Sequence, residues 1–325
     1  MKKGLKDIFR EFSGDFEKFD AHFAEIMRSD IKLVDEVAKY VVKHKGKQFR
    51  PALVLVSARA VAPATESTYA TAAVVELLHT ASLVHDDVLD EAELRRGIAT
   101  IHKIWKNKVA ILMGDYLLSK SLIAATDTGS LEIMNTVATV AKRLIQGAIF
   151  ELQKSRSGDT TEDDYFRLIS DKTASLISAC CELGALTVGA TPEQRFALRD
   201  YGEQLGLAFQ IKDDLLDYEA SSGILGKPAL ADLQDKKITL PVLCAFRSAD
   251  DKEKKKITKM IKNGAAKKDL GYILDFVNRY NGLENARDKS FEIKDKAVAA
   301  LAPLSETPAK QSLIDLADFV VNRSK

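Results

Sequence analysis

The sequence predicts an all-α fold: a single large helical bundle around a central cavity, with residues 1–325 forming one domain. Apolar residues recur at helical spacing almost throughout, as in amphipathic helices packed on a core. The seven prolines are scattered, and no stretch alternates β-branched residues between tight turns as strands would. A chain of 325 residues with 46% hydrophobic content can bury a large core. Length alone would suggest two domains, but the unbroken helical pattern argues for one.

Helices are expected over residues 5 to 27, 31 to 45, 51 to 62, 67 to 90, 108 to 126, 130 to 155, 162 to 189, 193 to 220, 238 to 248, 251 to 262, 266 to 280, and 284 to 324 with a break. The first carries an apolar stripe, Leu5, Ile8, Phe9, Phe12, Phe16 and Phe19, which favours docking on a core or a subunit partner over lipid. After the loop Gly46 to Arg50, Pro51 suits a first helical turn, where its missing N–H has no partner to lose. Thr191-Pro192-Glu193 starts another helix. Ser221 to Lys237, with Gly223, Gly226 and Pro228, is expected to be a flexible basic loop. The lysine-rich run Asp250 to Lys268 is mixed with acids, which makes it a solvated helical surface rather than a nucleic-acid site.

A net charge of +1 gives no bulk attraction to nucleic acid or to an anionic membrane. Cys180, Cys181 and Cys244 have no metal-ligand spacing, and adjacent cysteines do not staple a fold, so a reducing compartment is expected. Charges at Asp7, Arg10 and Glu11 leave no room for the apolar core of a signal peptide, and no run reaches membrane-spanning length without a charge or a glycine. A cytoplasmic protein without a transmembrane segment is the expectation.

The pentapeptide DDxxD occurs twice, as Asp86-Asp87-Val88-Leu89-Asp90 and Asp213-Asp214-Leu215-Leu216-Asp217. On a helix, Asp86 with Asp90 and Asp213 with Asp217 share a face, and Asp87 and Asp214 lie about 100° round from them. Stacked carboxylates repel one another and weaken a helix unless cations sit between them. The preceding turns are apolar (Ala81, Leu83, Val84; Leu207, Ala208, Phe209, Ile211), which places the acids at the ends of buried helices. Two similar helices facing each other across a cavity would gather six carboxylates round one pool of metal. Hard oxygen ligands with open positions suit Mg²⁺, which shares phosphate oxygens.

Cations stand at matched points: Lys47 and Arg50, Arg95-Arg96-Gly97, Lys172-Thr173, and Lys227 and Lys237. Arginine forks and lysine point charges are what diphosphate oxygens require. A site with metal-binding acids and free cations suits two phosphorylated substrates, one held through metal and the other directly.

Over nearly its whole length the chain resembles the trans-type polyprenyl diphosphate synthases. The resemblance runs through Gly46-Lys47-Gln48-Phe49-Arg50-Pro51, Glu76 to Asp87, Arg95-Arg96-Gly97, Gly114-Asp115, Lys172-Thr173, Phe209 to Asp214, Gly226-Lys227-Pro228 and Lys237-Ile238-Thr239-Leu240-Pro241. It implies an isoprenoid-synthase bundle, usually a homodimer, that joins isopentenyl diphosphate head-to-tail to an allylic diphosphate such as farnesyl diphosphate. Asp86, Asp90 and Asp213 would then be the principal Mg²⁺ ligands, with Asp87, Asp214 and Asp217 acting directly or through water. Arg95, Lys172, Lys227 and Lys237 would grip the allylic diphosphate, and Lys47, Arg50, His79 and Arg96 would hold isopentenyl diphosphate. Thr173 and Gln210 would turn oxygen dipoles toward the allylic cation, and the released diphosphate would take the final proton. Transient membrane contact would accompany product release.

Several positions depart from the family pattern. Gln48 replaces a usual arginine, and the segment Gly147-Ala148-Ile149-Phe150-Glu151 stands where a glycine–glutamate pair and a later glutamine are common. Leu230-Ala231 replaces glycine–asparagine, and Lys236 replaces glycine. Ala81 and Ser82, the small residues one turn before the first motif, leave the growing chain room, which predicts a medium to long product, octaprenyl-like. Two rivals share the outline. A terpene cyclase usually has mixed Asn/Ser/Glu ligands at its second metal site, and a non-catalytic partner subunit loses acids or cations that are kept here.

Overall fold

Two long helices frame the molecule: α5 (Glu66–Leu89) and α10 (Pro192–Glu219), each ending at an acidic pentapeptide. The structure, a computed structural model, describes residues 4–44, 46–95, 97–219 and 230–324. Before α5 come α1 (Leu5–Ile8), α2 (Ser13–Ile26), α3 (Lys32–Lys43) and α4 (Phe49–Arg59). A two-stranded hairpin follows it, β1 (Leu94–Arg95) with β2 (Ile98–Ala99), and then α6 (Ile101–Asp127), α7 (Leu131–Ser157), α8 (Glu162–Ile169) and α9 (Ser175–Leu186). After α10 stand α11 (Ala231–Gln234), α12 (Leu240–Ser248), α13 (Asp251–Lys262), α14 (Lys267–Arg279), α15 (Gly282–Ala300) and α16 (Pro308–Asn322).

The all-α class is thus as expected, with local corrections. The first helix is interrupted by a 3₁₀ turn at Arg10–Phe12, where Phe9 and Phe12 both turn inward. The apolar stripe docks on the core: Ile8, Phe12 and Phe19 are buried, and Leu5 and Phe16 pack against them. Helix α6 begins before the expected residue 108, but Lys106 (φ 71, ψ 163) breaks its regularity. The expected helix 162 to 189 is split by a π turn, Ser170–Ala174, and Ala231–Gln234 is helical where a loop was expected. Leu230 (φ 59) and Lys236 (φ 64), which stand where the family pattern has small residues, adopt the left-handed conformation that favours glycine.

Two groups of buried apolar side chains form the core, and α10 joins them. Its first half contributes Leu198, Tyr201 and Leu205 to a group that includes Leu53, Leu55, Leu77 and Ile177. Its second half contributes Ala208, Ile211, Leu215 and Tyr218 to a group with Leu243, Ile257 and Phe276. Each such large side chain, fully buried, contributes about 1.5–3 kcal/mol, so the helix end that carries the second motif is rigidly held.

One helix, Ile101–Asp127, is long and apolar enough to cross a membrane by length and composition, although it contains Gly114, Asp115 and Lys120. Among the described residues, most exposed large apolar side chains lie on α6 and α7: Ile104, Ile111, Leu112 and Ile123 on the first, and Leu131, Ile145, Ile149 and Leu152 on the second. The three cysteines are free and buried.

Candidate active site

The first motif closes α5, with Asp86 and Asp87 in the last turn and Asp90 as the C-cap. Carboxylates at a helix C-terminus face the negative end of its dipole, an arrangement that itself calls for a cation. Asp87 has one: Arg95, presented by the hairpin, donates from Nε to Asp87 Oδ1 at 2.7 Å. Burial nevertheless pushes the Asp87 carboxyl above its usual range, with Arg95 opposing. Among the described residues, the carboxylates of Asp86 and Asp90 make no hydrogen bond or ion pair. Burial pushes Asp86 up as well; Lys172 draws it down, and Asp90 and Glu151 repel it. A half-buried carboxylate, Asp86, beside an exposed one, Asp90, neither with a partner among the described residues, is relieved by a hard cation, so the two fit a divalent metal.

Lys172 and Thr173 lie in the π turn, an insertion that often marks functional positions. Two glycines let helices close on it. A Cβ at Gly206 on α10 would stand 2.4 Å from Ala174 Cα, and one at Gly147 on α7 would stand 2.8 Å from Lys172 Cγ. Arg143 braces the turn, donating from Nε to Asp171 Oδ1 and from Nη2 to Ser170 Oγ, each at 2.8 Å. Lys172 and Lys237 both reach Glu151 on α7: Lys172 Nζ pairs with Oε2, and Lys237 Nζ lies 3.7 Å from Oε1. Burial alone would lower Lys237, but Glu151, Asp232, Asp90 and Asp235 hold it above its usual pKa. Glu151, Lys172, Thr173, Gln210, Asp214 and Lys237 line a cavity of about 170 Å³.

The second motif is arranged differently. Asp213 Oδ1 accepts from Arg323 Nη2 at 2.6 Å, and the guanidinium also lies 4.2 Å over the Phe209 ring. Asp214 is buried; its Oδ2 accepts from Tyr165 Oη at 2.6 Å and its Oδ1 from Gln210 Nε2 at 2.9 Å. Burial raises its pKa well above the usual range. The carbonyl oxygen of Gln210 accepts from the Thr173 hydroxyl at 2.9 Å, so both dipoles belong to one chain of hydrogen bonds. Asp217 accepts from the backbone amides of Ala231 and Asp232 at 3.1 and 3.2 Å, fastening α11 to the end of α10.

The six aspartates therefore do not converge as the sequence suggested: among the described residues, no three acidic, histidine or cysteine side chains stand together closely enough to hold one ion. The physical reason is that Asp87, Asp213, Asp214 and Asp217 each have a partner from the chain itself. On the side expected to hold isopentenyl diphosphate, Arg50 Nη1 donates to His79 Nε2 at 2.8 Å, and Lys47 is exposed on the approach to α4. Gln48 takes the left-handed conformation (φ 50) and donates to Asp20 Oδ1 at 2.8 Å. Ala81 is buried, and half-buried Ser82 donates to the His79 carbonyl at 2.8 Å. Lys227 and Arg96 lie outside the described residues.

Four participants escaped sequence reasoning. Glu151 lies four residues after Gly147, on the helix face that meets the π turn, and that spacing could have found it. Asp232, pushed up to about 6 by burial against the pull of Lys237, and Asp235 sit on the segment read as a loop. Arg323 is far from Asp213 in sequence and carries no local signal.

An all-α fold with an acidic pentapeptide at the end of each of two long helices, and a cavity that Lys172, Lys237 and Asp214 line, is that of a trans-polyprenyl diphosphate synthase. The sequence profile of the polyprenyl synthetase family matches residues 31–277, and the chain belongs to that family. It is 36% identical over 321 residues to octaprenyl diphosphate synthase of Escherichia coli, covering 99% of each chain. It also resembles a decaprenyl diphosphate synthase of Rhodobacter capsulatus (TM-score 0.92, 38% identity, 98% of each chain). A polyprenyl synthase of Caulobacter crescentus, solved with calcium and isoprenyl diphosphate, gives a TM-score of 0.91 at 31% identity over 100% of this chain and 99% of that one.

Proposed function

We propose that this enzyme condenses isopentenyl diphosphate head-to-tail with an allylic diphosphate such as farnesyl diphosphate, extending it to an all-trans chain of about six to ten units. The observation that carries the reading is the meeting of unpartnered acids and diphosphate-matched cations: Asp86 and Asp90 lie within electrostatic reach of Lys172 and Lys237 respectively. Magnesium, when bound, supplies the Lewis acidity that draws charge onto the departing diphosphate. Asp86 and Asp90 would hold it first, and Asp213 would join from the other side once the bound diphosphate draws Arg323 away, with Asp87, Asp214 and Asp217 supporting.

Lys172, Lys227 and Lys237 would take the allylic diphosphate oxygens, with Arg95 shared between that diphosphate and Asp87. Lys47, Arg50, His79 and Arg96 would orient isopentenyl diphosphate. The Thr173 hydroxyl hydrogen is committed to Gln210, so its oxygen keeps lone pairs for the allylic cation, fixed in advance rather than reorganised. No side-chain nucleophile is required, because the isopentenyl double bond forms the new bond to the allylic carbon as diphosphate leaves, and no side-chain base is required, because the released diphosphate takes the proton.

The whole chain, 1–325, would act as one domain, in the cytoplasm, as a homodimer joined through the exposed apolar side chains of α6 and α7. That pairing accounts for a helix apolar enough to cross a membrane. Incubating the purified protein with farnesyl diphosphate, labelled isopentenyl diphosphate and Mg²⁺, then sizing the dephosphorylated products, tests the proposal. Products of about six to ten units are expected; no incorporation by the protein alone would refute it.

A further inference from the structure

Glu151 has no part in the function proposed so far, yet it occupies two of the cations that function needs. Its two carboxylate oxygens are divided between two lysines, Oε2 on Lys172 and Oε1 on Lys237, the latter at 3.7 Å. The lysines come from different parts of the chain, one from the π turn and one from the segment between α11 and α12. A single carboxylate bridging two ammonium groups presents them with what a diphosphate would present: adjacent anionic oxygens at ion-pairing distance. Burial disfavours the charge on Glu151, but Lys237 and Lys172 outweigh that and hold its pKa below the usual range, so the carboxylate stays ionised. Asp86, Asp90, Asp232 and Asp235 add negative charge to the same surroundings.

We propose that Glu151 is an internal competitor of the allylic diphosphate for Lys172 and Lys237, and that this competition makes the site discriminate against diphosphate arriving without a divalent cation. A bare diphosphate must displace one anion from the lysines while entering a wall of others. Diphosphate that carries its cation meets those acids as ligands, and the released carboxylate then faces a positive ion instead of a negative one. The charge of Glu151, rather than its hydrogen-bonding shape, sets the penalty.

The proposal rests on the lysine roles given above, and its test is separate from theirs. Binding of inorganic pyrophosphate to the full-length protein is measured by calorimetry at low ionic strength, once with EDTA and once with Mg²⁺. Glu151→Gln keeps the shape and removes the charge. It is expected to bind pyrophosphate in EDTA on the order of tenfold more tightly than the parent, with a much smaller change in Mg²⁺. Glu151→Asp keeps the charge and is expected to bind in EDTA as weakly as the parent. If Glu151→Gln gains nothing in EDTA, or gains equally with and without Mg²⁺, or if Glu151→Asp gains as much, the proposal is overturned. Prenyl transfer by the parent protein, measured alongside, would leave the assigned reaction standing in each of those cases.

Discussion

The two acidic motifs are identical in pattern and opposite in circumstance. Asp86 and Asp90 at the end of α5 have no partner among the described residues, and repulsion and burial leave Asp86 poorly stabilised. At the end of α10, Asp213 is paired with Arg323, Asp214 is buried against Tyr165 and Gln210, and Asp217 caps α11. A sequence pattern fixes which groups lie on a helix face, but neighbours decide whether those groups are open to a ligand. The first motif is poised to take a cation, while the second has built its surroundings into the fold.

The difference can be broken most severely at its open end. Asp86→Asn removes a carboxylate with no other task, and steady-state kinetics should show kcat/KM lowered about 10³-fold at unchanged thermal stability. Asp217→Asn, which keeps an oxygen for one of the two α11 amides and gives up the other, should lose roughly tenfold. Equal losses would erase the distinction between the motifs.

The small residues upstream of each motif extend the contrast. Gly206, two turns before Asp213, is a packing device: Gly206→Ala drives a methyl into the Ala174 backbone and should destabilise the protein by about 1–3 kcal/mol, read as a lower Tm. Ala81, just over one turn before Asp86, is held to leave room for product. Ala81→Phe should shorten the prenyl chain while the first condensation proceeds at near-normal rate, and an unchanged product distribution would move the channel elsewhere. The smallest effect should come from Arg323→Gln, which gives the second motif some of the openness of the first. The Mg²⁺ concentration for half-maximal activity should fall on the order of threefold, the scale of a partly exposed ion pair.

The helical class, both motifs and the cations at 47, 50, 95, 172 and 237 were legible because each rests on local periodicity or a short pattern. The π turn at Ser170–Ala174 was not, because it depends on Gly147 and Gly206 allowing two helices to close on it from distant parts of the chain. Nor was the occupation of the second motif: Arg323 approaches Asp213 only after α16 packs beside α10, and Tyr165 reaches Asp214 from α8. Glu151 sat in view as a lone acid in an apolar run, but its meaning depends on two lysines that the fold brings to it.

The open-and-occupied account is tested most directly by soaking crystals grown without substrate in Mn²⁺ and locating the ions by anomalous scattering. The account predicts an ion between Asp86 and Asp90, with Arg323 still on Asp213 and no ion at the second motif. Equal anomalous density beside Asp213 and Asp217, or density there alone, would contradict it.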